Sequence, residues 1–197
     1  MSPFVHLLRH GEVHNPDEIV YAGLEGFGLS DRGLRQAEAA AEFLATRNVA
    51  AIASSPLQRA LETAAQVALA AGCQVTADER LTEFGLADRW AGTGWRDLPT
   101  RFPGELEAYL TNPLEMPFSP ETVPALAERV GGAIRELSGR ATGELVVVSH
   151  QDPLQAALLF LTGASLADLR VDPPGHAEII TLAPGPIWQL VGRWRPD

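Results

Sequence analysis

Short apolar runs alternate with amphipathic stretches along this chain. The apolar runs predict four buried strands, at residues 4–8, 50–53, 73–76 and 144–149. Helical spacing of leucine and alanine predicts helices at 34–44, 125–137 and 153–161. Strands that alternate with helices are typical of an α/β protein. We therefore expect a three-layer sandwich, in which a mostly parallel sheet has helices on both faces.

Two further segments complete the predicted fold. Residues 178–182 and 187–194 are predicted to form closing strands, arranged as an antiparallel hairpin around Pro184–Pro186. The pattern breaks down over 84–122, where aromatic residues lie among prolines and glycines. A long irregular segment with aromatic residues is more typical of a lid than of a linker. We expect one domain over 1–197, with 84–122 as a lid over a site.

Charged and polar side chains follow the predicted strands where each strand ends. Arg9 and His10 follow the first strand, and His150 follows the strand at 144–149. Ser55-Pro56 after the second strand predicts a helix start with Ser55 as N-cap, which puts Arg59 in the first turns. Glu83 follows the third strand. Because the carboxyl ends of parallel strands share one edge of a sheet, these groups are predicted to converge.

Composition narrows the classes of function. The formal net charge is −10, which argues against nucleic acid or an anionic membrane as a partner. All 15 basic residues are arginine, which excludes a lysine Schiff base and a P-loop lysine. Cys73 is the only cysteine, and no apolar run approaches the roughly 20 residues of a membrane span. We expect a cytoplasmic protein with a small-molecule partner; oligomeric state is left open.

The converging groups favour phosphoryl chemistry. Two arginines beside two histidines repel one another unless an anion lies among them, and a phosphoryl group fits that requirement. Histidine can attack phosphorus as a nucleophile. A carboxylic acid can protonate the departing oxygen and later activate water. No organic cofactor or metal is needed for this chemistry, and none is expected.

The ordered motifs resemble the histidine phosphatase superfamily, in its phosphoglycerate-mutase-like branch. They span most of the chain. The matching segments are Arg-His-Gly-Glu at 9–12, Leu-Ser-x-x-Gly-x-x-Gln-Ala at 29–37, Ser-x-x-x-Arg-Ala-x-x-Thr-Ala at 55–64, Leu-x-Glu at 81–83 and Val-Ser-His at 148–150.

The resemblance implies a role for each group. His10 is the implied phosphorylated nucleophile and Glu83 the implied proton donor. The catalytic set is His10, Glu83, His150, Arg9 and Arg59, and the substrate-binding set is Arg9, Asn15, Arg59, His150 and Gln151. The family often has glycine where Gln151 stands, so phosphate binding there depends on the backbone N–H and the side chain is expected to narrow the pocket. Asp152 is the less favoured candidate for the acid.

The function predicted is hydrolysis of a small-molecule phosphate ester, with broad specificity open. A phosphoglycerate mutase-type phosphoryl transferase and a non-catalytic binding protein on the same scaffold are the alternatives. A mutase usually grips a substrate carboxylate with paired arginines, whereas Arg89, Arg96 and Arg101 are scattered through the aromatic segment. We expect one or two of Phe84, Trp90 and Trp95 to face the pocket, which favours a bulky, partly apolar leaving group.

The remaining histidines have more ordinary interpretations. His6, His10 and His14 recur every four residues, but Gly11, Pro16 and the strand-like run before them oppose a helical metal site. His6 is expected to be a strand residue, and His14 and His176 are expected to lie in loops.

Overall fold

Six strands form one mixed sheet in the computed structural model, which describes residues 3–196. The strands are β1 (Val5–Arg9), β2 (Val49–Ser54), β3 (Val75–Ala77), β4 (Glu144–Ser149), β5 (Ile179–Ala183) and β6 (Gln189–Trp194). Their order is β3-β2-β4-β1-β5-β6. β1 to β4 are parallel, and β5 and β6 form an antiparallel pair beside β1. The predicted α/β class is confirmed.

Helices cover both faces of this sheet. One layer holds α1 (Asp31–Ala45) and α2 (Gln58–Ala71), and the other holds α6 (Val123–Arg140) and α7 (Gln151–Thr162). Two 3₁₀ turns lie at Glu79–Leu81 and Leu166–Arg170. Strand alternation divides the core, since Leu8 packs toward α1 and α2 while Leu7 packs toward α6 and α7. None of the helices described within 3–196 is long and apolar enough to cross a membrane.

The start of α1 is packed unusually closely against the loop that follows β1. Ser30 caps the helix by accepting a hydrogen bond from the Gly33 N–H at 3.0 Å. A Cβ atom at Gly33 would overlap the backbone carbonyl of Glu12, and one at Gly11 would overlap the carbonyl of Gly33. Only glycine permits this approach of two backbones. Both glycines of the first two motifs are therefore explained by packing.

The segment 84–122 is more regular than the sequence suggests. It contains three short helices, α3 (Gly85–Trp90), α4 (Leu98–Arg101) and α5 (Glu105–Thr111), joined by turns. Helices of four to seven residues present too few turns for a hydrophobic period to be recognised. None of the three begins with a side-chain cap hydrogen bond, although Asp97 and Pro99 at the start of α4 are residue types typical of a helix start. The expectation of an irregular segment was therefore wrong in detail.

Candidate active site

Neighbouring strands bring the two histidines together. β1 and β4 pair in parallel register with Arg9 opposite Ser149, so His10 and His150 both follow the same edge of the sheet. The His10 N–H donates to the Ser149 carbonyl at 3.0 Å. The two imidazole rings are fully buried, with centroids 5.2 Å apart. The predicted convergence of these strand ends is present in the structure.

The hydrogen bond of His10 defines which ring nitrogen is free. Its Nδ1 lies 2.7 Å from the Gly11 carbonyl, which can only accept, so Nδ1 carries the proton. Burial, together with the nearby His150, Arg59 and Arg9, holds the pKa of His10 well below its usual value. The ring is therefore neutral near pH 7, with an unprotonated Nε2.

His150 has the complementary arrangement. Its Nε2 lies 2.8 Å from the Ser55 hydroxyl, which itself accepts from the Leu57 N–H at 3.3 Å. The Ser55 hydroxyl can donate its proton to Nε2, and a neutral His150 that accepts there carries its own proton on Nδ1. Burial, then Arg59 and Arg9, keeps the pKa of His150 well below its usual value. The prediction of Ser55 as a helix N-cap was wrong: α2 begins at Gln58, because the Ser55 hydroxyl is committed to His150.

Several buried donors at this edge have no hydrogen-bond partner. Among the residues that the structure describes, Arg59 is the largest such case, with both Nε and Nη2 unpartnered although the side chain is 1% exposed. Arg9 Nε and His150 Nδ1 are in the same position. Buried donors normally have partners, and four of them at one edge of the sheet are suited to a tetrahedral oxyanion. Tyr21 places its ring 4.7 Å from the Arg59 guanidinium.

Arg9 is fixed in place by neutral groups. Its Nη1 donates to the Gln151 side-chain oxygen at 2.7 Å and to the Pro174 carbonyl at 2.9 Å. Its Nη2 lies 3.1 Å from Nε2 of His176. Burial, followed by the charge of Arg9, lowers the pKa of His176 to about 4, so at neutral pH this nitrogen accepts. His176, expected only as a loop residue, is thus part of the site. The Gln151 side chain, expected only to narrow the pocket, helps to hold Arg9 in place.

Other motif residues hold the loop that carries His10. The Gly11 N–H donates to the Thr63 hydroxyl at 3.1 Å, and the Glu12 N–H donates to the Gln36 side chain at 2.9 Å. Thr63 in turn donates to the Arg59 carbonyl one helical turn earlier. These contacts join the start of α2 and the middle of α1 to the loop that carries His10. The motif residues outside the cavity are therefore structural supports.

Glu83 lies over the cavity beside the two basic groups. One carboxylate oxygen accepts from the Phe84 N–H at 2.9 Å, and the other lies 3.7 Å from Arg59 Nη2 and 3.6 Å from His150 Nδ1. Burial raises the pKa of Glu83 to about 7, with Arg59 opposing the shift and Asp152 adding to it. Glu83 is therefore a carboxyl that can hold a proton near neutral pH.

The segment before Glu83 is tied down by Arg129, which the sequence did not single out. From α6, this guanidinium donates to the carbonyls of Arg80, Thr82 and Glu83 at 2.9–3.2 Å. It also forms an ion pair with Glu121. An arginine on an amphipathic helix resembles any surface arginine in sequence, so only the tertiary structure reveals this role.

The cavity has a volume of about 290 Å³ and is lined by His10, His176 and residues of α3 and α5, whereas Arg59 and His150 do not line it. Phe84, Trp90 and Trp95 all line it, more than the one or two expected. Tyr21 and Tyr109 also line it, although neither was among the residues predicted to face the pocket. The complete lining is Arg9, His10, Val20, Tyr21, Ala22, Glu83, Phe84, Leu86, Ala87, Trp90, Trp95, Tyr109, Gln151, Asp152 and His176.

Three other candidate residues lie elsewhere. Asn15 closes its own loop by hydrogen bonds with both backbone groups of Ile19, and it is absent from the cavity lining. His6 is buried in β1 between Thr181 and Glu144. His14 is exposed. Across residues 3–196, no group of three or more His, Cys, Asp or Glu side chains could hold a metal ion.

The comparison with known families now identifies the class. The model of the histidine phosphatase superfamily (branch 1) matches residues 5–187. The chain belongs to this superfamily, and the family resemblance seen in the motifs is confirmed.

Individual relatives agree with this assignment. Uncharacterized protein Rv0525 of Mycobacterium tuberculosis is 40% identical over 171 residues, covering 82% of this chain and 80% of the relative. Phosphoserine phosphatase 1 of Hydrogenobacter thermophilus is 30% identical over 163 residues, covering 82% and 77%. The structure of mycobacterial glucosyl-3-phosphoglycerate phosphatase Rv2419c with VO3 superposes with a TM-score of 0.85 at 27% identity, covering 99% of this chain and 100% of that one.

Proposed function

We propose that this protein hydrolyses small-molecule phosphate monoesters through a phosphorylated His10. The observation that carries the proposal is the set of four unpartnered donor nitrogens, on Arg9, Arg59 and His150, beside an unprotonated His10 Nε2. Membership of the histidine phosphatase superfamily and the phosphatase names of two of the relatives support the same activity.

In the first step, His10 Nε2 attacks the phosphorus atom of the bound ester. The bond between phosphorus and the ester oxygen breaks as the bond from phosphorus to Nε2 forms. The carboxyl proton of Glu83 moves to the departing oxygen, which leaves as an alcohol. The negative charge on the equatorial oxygens is met by the arginines and His150, which are already in place before the reaction.

In the second step, water attacks the phosphohistidine. Glu83, now a carboxylate, accepts a proton from the water while the phosphorus–nitrogen bond breaks. Inorganic phosphate leaves, and His10 and protonated Glu83 are restored. The pKa of about 7 suits Glu83 to both tasks, since it must give a proton and take one back within each cycle. The buried guanidinium groups supply the positive charge, so the proposed cycle uses no divalent metal.

Hydrolysis is favoured over the two alternatives by particular contacts. The segment 84–122 forms the apolar wall of the cavity and serves as its lid. Of its arginines, Arg89 is bound to Glu105 and Arg96 to Glu18, and neither lines the cavity. This arrangement does not offer the paired grip on a carboxylate that a mutase needs. The tautomers and free donors described above favour a catalytic protein over a binding protein.

Steady-state assays with p-nitrophenyl phosphate test the proposal. The His10→Ala variant should lose all measurable turnover and keep the wild-type unfolding transition. His14→Ala is the matched control, because His14 is an exposed loop histidine four residues away. Its turnover should equal that of the wild type. Turnover retained by His10→Ala would overturn the proposal.

A further inference from the structure

The cavity wall facing the leaving group is largely apolar. Trp90 packs edge-to-face against Trp95 and against Tyr109, with ring centroids 6.4 and 5.5 Å apart. Phe84, Leu86 and Ala87 continue the wall from α3. A surface of this kind stabilises an aromatic or alkyl leaving group by removing its apolar area from water.

No spare cation lies on that wall. Among the lining residues in the described part of the chain, Arg9 is the one arginine, and it belongs to the phosphate-binding group. Gln151 and His176 are polar but are engaged with Arg9. Arg101, the remaining arginine of the lid segment, is exposed and does not line the cavity. A carboxylate on the leaving group would therefore be desolvated without a cation to pair with, which is costly.

A carboxylate of the protein strengthens this selection. Asp152 lines the cavity at the start of α7 and is buried. The Tyr109 hydroxyl donates to one of its oxygens at 2.8 Å, and Arg170 donates to the other at 2.9 Å. Arg170 itself does not line the cavity. A bound substrate would therefore lie closer to the Asp152 carboxylate than to the Arg170 guanidinium that pairs with it.

We infer that the site selects phosphate monoesters of neutral or cationic aromatic and alkyl alcohols and rejects those whose alcohol carries a carboxylate, with Asp152 as the specificity-determining residue. The inference rests on the proposed function and deepens it. It separates this protein from the named relatives, because glucosyl-3-phosphoglycerate and phosphoserine both carry a carboxylate beside the phosphate.

Three matched phenyl phosphates test the charge selection. They carry a 4-ethyl, a 4-(2-aminoethyl) or a 4-(2-carboxyethyl) group, so leaving-group acidity is nearly constant while charge varies. We expect kcat/KM for the carboxylate ester to be at least about tenfold below that of the ethyl ester. The ammonium ester should lie above the carboxylate ester. Equal values for the ethyl and carboxylate esters, or a loss as large for ammonium as for carboxylate, would overturn the inference.

Two variants test the role of the wall itself. Asp152→Asn should narrow the gap between ethyl and carboxylate esters by roughly threefold to tenfold, and Asp168→Asn, on an exposed turn, should leave it unchanged. Ala87→Arg, which keeps Asp152 intact and adds a cation to the wall, should narrow the gap as well. An unchanged gap in both Asp152→Asn and Ala87→Arg would overturn the inference. Failure to hydrolyse any of the three esters would instead overturn the proposed function, and the inference with it.

Discussion

Replacing Glu83 by glutamine removes a proton and a charge while keeping the size of the side chain. The glutamine oxygen can still accept from the Phe84 N–H. General acid catalysis contributes about 10²–10⁴-fold. An alkyl phosphate, whose leaving group needs a proton, should therefore lose roughly that factor in kcat/KM, which reports the phosphorylation of His10 and not the shared hydrolysis of the phosphohistidine. p-Nitrophenyl phosphate, whose leaving group is stable as an anion, should lose less than about tenfold.

The pH dependence of the same variant follows from the raised pKa. Glu83 is protonated below about pH 7, so kcat/KM for alkyl phosphates should fall as pH rises through that value in the wild type. Glu83→Gln has no group that titrates at this position near pH 7, so its pH–rate profile should lack this decrease. Steady-state kinetics from pH 5 to 9 give the pH–rate profiles of the wild type and of Glu83→Gln. Equal losses for the two kinds of ester, or a decrease that persists in Glu83→Gln, would refute the reasoning and move attention to Asp152.

The pH dependence of the free energy of unfolding gives an independent test of the raised pKa of Glu83. Between pH 4.5 and about 7 the folded protein holds this proton and the unfolded chain does not, so the free energy of unfolding falls as pH rises across that window. The size of the shift corresponds to about 3 kcal/mol. Urea unfolding at pH 5 and 8 should show Glu83→Gln gaining about that much relative to the wild type. Glu115→Gln, at an exposed position, is the control.

Three further predictions concern metal dependence and two residues, Gln151 and Arg129, that hold the site in place. Dialysis against EDTA should leave turnover unchanged, and a loss restored by zinc or magnesium would contradict a metal-free cycle. Gln151→Ala should raise KM about threefold to tenfold with a smaller change in kcat, because Arg9 loses a charge-assisted hydrogen bond; an unchanged KM would contradict that role. Arg129→Met should lower the free energy of unfolding by roughly 2–4 kcal/mol, since three carbonyls before and at Glu83 lose their donor; a change below about 0.5 kcal/mol would contradict it.

The central sheet and the paired histidines could be predicted because their signals are local. An apolar run that ends in His10 or His150 marks both a buried strand and the place where its chemistry begins. Parallel pairing then brings the two strand ends together, whatever the rest of the chain does. The closing hairpin was predictable for the same reason, because Pro184–Pro186 interrupts two strand-like runs.

The residues that were missed act through tertiary contacts. His176 and Tyr21 lie in loops, and nothing near either in sequence indicates that one contacts Arg9 and the other Arg59. Ser55 stands where the sequence predicts a helix cap, yet its hydroxyl forms a hydrogen bond with the buried imidazole of His150. The role of Asn15 in binding phosphate stays a prediction, since its side chain is engaged with Ile19 in this structure.

Direct detection of phosphate on His10 tests the central claim. Wild-type protein is mixed with a ³²P-labelled ester, quenched in base within milliseconds and digested for peptide mapping. If His10 carries the phosphoryl group, a base-stable, acid-labile label should appear on the peptide that contains His10. The label should form and disappear at rates compatible with kcat. A label on another residue, or turnover with no labelled protein at any time, would contradict the claim.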